Sequence, residues 1–279
     1  MTVGAARSPS ASDVLAKARH ENFPVASLLL PSELRPHFIN IYGFARLADD
    51  IGDEAEGDRL AMLDSLRAEL AAAYGGEATH PLVERLATTI REFDLPPEPF
   101  ERLIEANRRD QTVHRYQTFD ELQEYCALSA NPVGELVLRI AGALTPERLE
   151  LSDATCTGLQ LVEFWQDLGE DAARDRVYIP LEDMDRFGYS VEDHMNGEAN
   201  SRFVELMRFE AERTKALLAR GRHLAADVGG RVGLAIRLFT AGGLAALSDL
   251  ERRGFDTFGI SARTSRRRRA VTALRELVR

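Results

Sequence analysis

Cysteine is scarce: the 279-residue chain has two, Cys126 and Cys156. Neither stands in a Cys-x-x-Cys or Cys/His ligand pattern, which argues against a zinc site and against a disulfide framework. Two reduced thiols fit a cytosolic protein. Long apolar runs are missing as well. The segment from Met1 to about Asp13 is small and polar, without the apolar stretch of a signal peptide. No segment is expected to reach the roughly 18 apolar residues of a spanning helix, so any contact with a membrane is expected from the side. Strand-like alternation rich in Val, Ile and Thr is nearly absent. Basic residues are in deficit, 35 Lys and Arg against 45 Asp and Glu, for a formal charge of -10. Such a surface repels nucleic-acid backbones and disfavours a general nucleic-acid role. It also sets a condition: an anionic substrate needs cations between itself and the protein.

What is present is helical periodicity. It predicts helices near 33–54, 57–74, 80–93, 97–109, 119–143, 147–172, 199–226, 231–253 and 262–278. Thr118 and Glu121 form a capping-box pattern ahead of Leu122, and Thr145-Pro146 places a proline where a first turn tolerates it. Pro132 falls inside the long 119–143 pattern and predicts either a kink or a helix boundary there. Gly75-Gly76, Asp94 to Pro99 and the stretch 173–197 read as connections; the last is long enough for a lid. No repeat, linker or shift in composition divides the chain. The expected architecture is all-α, a single-domain helical bundle over residues 18–279, with a flexible N-terminal tail over 1–17.

Two helices carry carboxylates in a pattern. The first holds Asp49-Asp50-Ile51-Gly52-Asp53-Glu54. Phe38, Tyr42 and Ala45 fall on one helical stripe, which Asp49 and Asp53 continue. That spacing predicts that these carboxylates face inward. Like charges four apart cost a helix roughly 0.2–0.5 kcal/mol per pair, and far more when buried without partners. Arg46, three and four residues earlier, can offset part of this; the remainder calls for metal. In the second helix Gln160, Glu163, Asp167 and Asp171 share a stripe, beside an apolar one of Leu161, Phe164, Trp165 and Leu168. Oxygen-only ligands select a hard cation, Mg²⁺ ahead of Ca²⁺ or Zn²⁺. Either stripe alone could be a solvated face. Together they favour binding of a diphosphate through Mg²⁺.

At these residues the chain resembles the squalene/phytoene synthase family. The stretch Ile41 to Glu54 is similar to its first aspartate-rich signature. Asp167 to Asp171 with Arg176-Val177-Tyr178-Ile179-Pro180 is similar to the second, Tyr125-Cys126 and Val133-Gly134 to its central helix, and Gly254-Phe255-Asp256 to its C-terminal segment. Glu21 to Ser27, Ser129 to Gly134 and Phe164-Trp165-Gln166-Asp167 resemble one bacterial branch, which turns presqualene diphosphate and water into hydroxysqualene and diphosphate in hopanoid biosynthesis.

The resemblance implies a helical isoprenoid-synthase fold with a central cavity, two or three Mg²⁺ ions held mostly with the diphosphate, and no NADPH. It implies metal binding by Asp49, Asp53, Asp167 and Asp171, with Glu163 beside them. It places His20, Asn22, Phe23, Arg46, Gln160, Arg176 and Tyr178 at the substrate, and Tyr42 and Tyr125 at the reacting carbons. Two departures stand out: Glu163 where the wider family has Asn, and Gln166 where many relatives have Arg. Phe23, Phe38, Tyr42, Tyr125 and Trp165 are candidate walls for a carbocation, with core packing the plainer reading for Phe38 and Trp165. Arg174, Arg176 and Tyr178 begin the 173–197 stretch and would close over a diphosphate if it is a lid. Arg266 to Arg269 form a basic run that reads as a solvated face or as a contact with anionic lipid headgroups. The implied setting is cytoplasmic, with peripheral contact at the inner face of the membrane and hopanoid-pathway enzymes as candidate partners. Head-to-head condensation of two farnesyl or geranylgeranyl diphosphates is the alternative activity. A catalytically degenerate binding or assembly protein is a third reading, which Glu163 keeps open.

Overall fold

The computed structural model describes residues 30–258. The first helix, α1 (Arg35–Asp53), opens with Pro36 in its first turn, where no N–H is missed, and buries Ile41, Phe44, Leu47, Ala48 and Ile51. Helix α2 (Arg59–Gly75) starts where the Asp58 carboxylate accepts from the Ala61 N–H at 3.0 Å, and stops at Gly76, whose φ of 80° suits glycine. Helices α3 (Pro81–Phe93) and α4 (Glu98–Arg109) follow, separated at Asp94 and Pro97 as the breaker residues predict.

The pattern over 119–143 resolves into two helices, α5 (Phe119–Ser129) and α6 (Asn131–Ile140). Pro132 lies in the first turn of α6, so it marks a boundary and not a kink. At the head of α5 the capping box is half formed. The Thr118 hydroxyl accepts from the Glu121 N–H at 3.2 Å, but the Glu121 carboxylate takes the Gln117 N–H instead, at 2.7 Å. Helix α7 (Pro146–Ala172) is capped by Thr145, whose hydroxyl accepts from the Arg148 N–H at 3.2 Å. Two short helices, α8 (Leu181–Phe187) and α9 (Val191–Met195), occupy the stretch read as a connection. Helices α10 (Ser201–Val228) and α11 (Gly230–Arg252) complete the described part, which is all-α. Its strand-like feature is one parallel bridge between Arg115 and Val177. The expected tail over 1–17, the helix near 262–278 and the run Arg266 to Arg269 lie outside the described residues.

Two compact units emerge, residues 30–113 with 127–149, and residues 114–126 with 150–258. In the first, α1 packs against α2, α3, α4 and α6. Phe44 meets Phe100 edge to face at 5.4 Å, and the buried Glu135 of α6 accepts from both Arg102 and Arg139. In the second, α10 and α11 lie along one another, and α7 approaches α10 closely. A Cβ on Gly158 would come within 2.9 Å of Leu218, so the approach requires glycine there. Arg213 on α10 ties down α8 through Asp183, Nη1 to Oδ2, at 2.8 Å. One expectation needs correction. Helix α11 is long and apolar enough to cross a membrane by length and composition. Its small residues, and Arg231 and Arg237 among them, hide this from a count of consecutive apolar residues.

Candidate active site

Helix α1 presents Tyr42, Ala45, Arg46 and Asp53 half-buried and Asp49 exposed. The carboxylate that faces inward is Asp50, 2% exposed, and not Asp49 or Asp53. Phe38 sits at one edge of the buried face of α1, which at 3.6 residues per turn centres nearer Phe44 and Ile51, so Tyr42, Asp49 and Asp53 fall just past that edge. Asp50 falls at the opposite edge of that face, beside the buried Gly43 and Leu47. Its charge is met by Arg46, whose Nε lies 2.9 Å from Asp50 Oδ1 and whose Nη2 lies 3.6 Å from Glu54 Oε1. Arg46 thus engages Asp50 of its own helix and Glu54 at the C-cap.

Asp49 keeps access to solvent but has protein packed around it, and this desolvation pushes its carboxyl up to about 6. An amide hydrogen bond from Asn107 and the charge of Arg46 work against the rise, while the charges of Asp53 and Asp110 add to it. The supporting residues come from α4 and its end. Asn107 Nδ2 donates to Asp49 Oδ1 at 3.1 Å and to the Leu103 carbonyl at 3.1 Å. Gln111 Nε2 donates to the Gly52 carbonyl at 3.0 Å and to the Asn107 carbonyl at 2.9 Å. None of Asn107, Asp110 and Gln111 is picked out by reading the sequence. The available signal is weak: a polar Asn107 on the face that buries Phe100, Leu103 and Ile104.

In the second unit α7 is two-sided as its periodicity predicts. Leu161, Phe164, Trp165 and Leu168 are buried, Gln160, Asp167 and Asp171 half-buried, and Glu163 exposed. Trp165 is core, its indole N–H donating to Thr214 Oγ1 at 2.9 Å; Phe38 is core in the other unit. After α7 the chain turns at Asp175, with φ of 58°, clasped by Arg115 Nη2 at 2.5 Å from its Oδ1. Residues 176–180 are all buried, so this part of the connection is no open lid. It runs beside 114–117: the Val177 N–H donates to the His114 carbonyl at 3.0 Å and the Leu181 N–H to the Tyr116 carbonyl at 2.9 Å. The lid expectation overlooked this pairing because its partner lies some sixty residues earlier.

That pairing builds an aromatic cluster. Tyr178 stacks on Phe164 with centroids 3.9 Å apart and lies 5.8 Å from Tyr125 and 5.9 Å from Tyr116. Tyr116 also approaches Tyr125 at 5.5 Å. All four rings are buried. Arg176 is buried beside them in sequence. Cys126 is an inert neighbour whose thiol burial pushes up to about 12. Of the expected substrate residues, His20, Asn22 and Phe23 lie outside the described residues.

The donor set suits a hard cation bound with its substrate. The two stripes hold carboxylate and amide oxygens, and the crowded Asp49 carboxyl would gain from a cation. Among the described residues no three His, Cys, Asp or Glu side chains form a ready metal cage. Mg²⁺ does not require one, since it is commonly held by one or two carboxylates with waters and phosphate oxygens.

Comparison with known proteins adds an independent line. The squalene/phytoene synthase family matches residues 16–275. A hydroxysqualene synthase of Rhodopseudomonas palustris is 38% identical over 228 residues, 80% of this chain and 77% of that one. A phytoene synthase of Arthrospira platensis is 30% identical over 257 residues, 85% of this chain and 82% of that one. The crystal structure of squalene synthase HpnC from Alicyclobacillus acidocaldarius superposes with a TM-score of 0.82 at 44% identity, over 88% of this chain and 96% of that one.

Proposed function

Because the chain belongs to the squalene/phytoene synthase family, and is thus a prenyl diphosphate-processing enzyme, we propose that it converts presqualene diphosphate and water into hydroxysqualene and diphosphate. The observation that carries the chemistry is the pair of accessible oxygen-only stripes, Asp49 with Asp53 and Gln160 with Glu163, Asp167 and Asp171, each on a helix whose other face is packed core. The branch is supported by the 38% identity to a hydroxysqualene synthase.

In this reading Asp49, Asp53, Asp167 and Asp171 hold Mg²⁺, with Glu163 at the rim of the second stripe. Bound Mg²⁺ supplies positive charge to the diphosphate as it leaves. Arg46, Gln160, Arg176 and Tyr178 orient the diphosphate, together with His20, Asn22 and Phe23. The Tyr116, Tyr125, Phe164 and Tyr178 rings form a dry wall whose faces favour a carbocation by roughly 0.5–2 kcal/mol each. Tyr42 and Tyr125 are assigned to the reacting carbons. No nicotinamide cofactor enters, because the product keeps an oxygen from water and no hydride is added. The proposal includes a cytoplasmic setting with contact at the inner membrane face.

Head-to-head condensation of two prenyl diphosphates is a second reading, favoured by the similarity to a phytoene synthase. Product analysis separates them. The purified protein with Mg²⁺ and no NADPH is offered presqualene diphosphate or farnesyl diphosphate in parallel. Hydroxysqualene from the first alone supports the proposal. Condensation products from farnesyl diphosphate replace it with the second reading.

A further inference from the structure

We propose that Asn107 is the positioning residue of the first metal stripe, fixing the Asp49 carboxylate so that one oxygen is occupied and the other stays free for a cation. This rests on the reading above that Asp49 binds Mg²⁺.

Asn107 is buried and the NH2 of its side-chain amide is fully committed. Its two N–H groups go to Asp49 Oδ1 and to the Leu103 carbonyl, both at 3.1 Å. A flipped amide would set its oxygen against a carboxylate and a carbonyl, two acceptors, so the donor is locked toward Asp49. The close approach of α4 to α1 is built for this group. A Cβ on Gly52 would meet the Asn107 Oδ1 at 2.2 Å and its Cγ at 3.0 Å. Gly52 therefore opens the space in which the amide sits. Gln111 closes the assembly from the next turn, donating to the carbonyls of both Gly52 and Asn107.

Chemistry explains the residue type. Asp53 and Asp110 already press negative charge on Asp49. A third carboxylate would add repulsion, and a Lys or Arg would compete with the metal. A neutral amide orients the carboxylate while leaving its charge for the cation. Groups of this kind behind a metal ligand are worth about 10–100-fold in metal affinity when removed.

The test reads metal binding directly. Mn²⁺ is titrated against the full-length protein with inorganic diphosphate present, followed by the loss of the free-ion electron paramagnetic resonance signal. Asn107→Leu, close in shape, is expected to weaken Mn²⁺ binding about 10–100-fold, and Gly52→Ala, which displaces the amide, to weaken it comparably. The double variant should lose no more than the worse single one. The activity of Asn107→Leu should recover as Mg²⁺ is raised, which a packing defect would not do. Should Asn107→Leu fail to fold, Asn107→Ser carries the same comparison. Wild-type Mn²⁺ affinity in folded Asn107 variants, with Asp49→Asn impaired, overturns this proposal alone. Unchanged binding in Asp49→Asn overturns the metal reading beneath it.

Discussion

The rings of Phe164 and Tyr178 lie 3.9 Å apart and within 5° of parallel. The contact ties α7, which carries the second acidic stripe, to a segment held in place through residues 114–117. An aromatic cluster and the second acidic stripe thus share one helix, on adjacent faces.

Phe164→Leu keeps bulk but removes the ring face, and is expected to cost about 1–2 kcal/mol of stability. Urea unfolding measures it. Tyr178→Phe keeps the stack, so its stability should stay near wild type while product formation falls. Equal loss of stability in both variants would count against a role for the Tyr178 hydroxyl.

Asp49→Asn and Asp171→Asn should each lower turnover by about 100-fold or more, since a metal contact on a departing phosphate is worth several kcal/mol. Circular dichroism should show both variants folded, because neither residue is buried. Turnover within twofold of wild type for either would remove that residue from the metal set.

Stability should fall as the pH rises from 4.5 toward 8, by way of Glu210. This fully buried carboxyl is pushed from 4.5 up to about 8, first by burial and further by Asp183, with Arg213 opposing. A folded value above the unfolded one means that the native state holds the proton longer. Its contribution is complete below 4.5 and lost as the pH rises through about 8. Urea midpoints between pH 5 and 9 should show this slope, and Glu210→Gln should flatten it. An unchanged slope in that variant would assign it to another group.

His194 acts at the acid end. It is 1% exposed, packs against Tyr189 and Phe258, and neither ring nitrogen has a hydrogen-bond partner. Burial, with Arg115 nearby, lowers it from 6.5 to about 4. Its contribution is therefore present above 6.5 and lost as the pH falls through about 4. His194→Leu should reduce the acid loss and, by removing unsatisfied polar atoms, leave stability at pH 8 within about 1 kcal/mol of wild type or above it. A loss of more than about 3 kcal/mol there would reveal a polar role for the imidazole.

Much of the local structure is legible in the chain. Thr145, Pro146, Asp58, Gly76 and Asp94 mark helix ends by chemistry that acts within a few residues. The two-sided pattern of α7 predicts which residues are buried there, because a 3.6 period assigns faces without knowing the neighbour. The same rule misjudges α1. It places Asp49 and Asp53 on the stripe of Phe38, whereas burial depends on where α2, α3, α4 and α6 lie around the helix, and those put Asp50 inside.

What the sequence by itself determined is the helices, their caps, and two stripes of oxygen ligands: each is set by interactions between residues at most four apart on one helix. Tertiary structure alone decided which carboxylate is held by Asn107, that 176–180 is buried beside 114–117, and that Tyr116 joins Tyr125, Phe164 and Tyr178. The Asn107–Asp49 bond spans 58 residues of chain. Such contacts exist only when packing brings distant segments to hydrogen-bond distance, and no local periodicity records them.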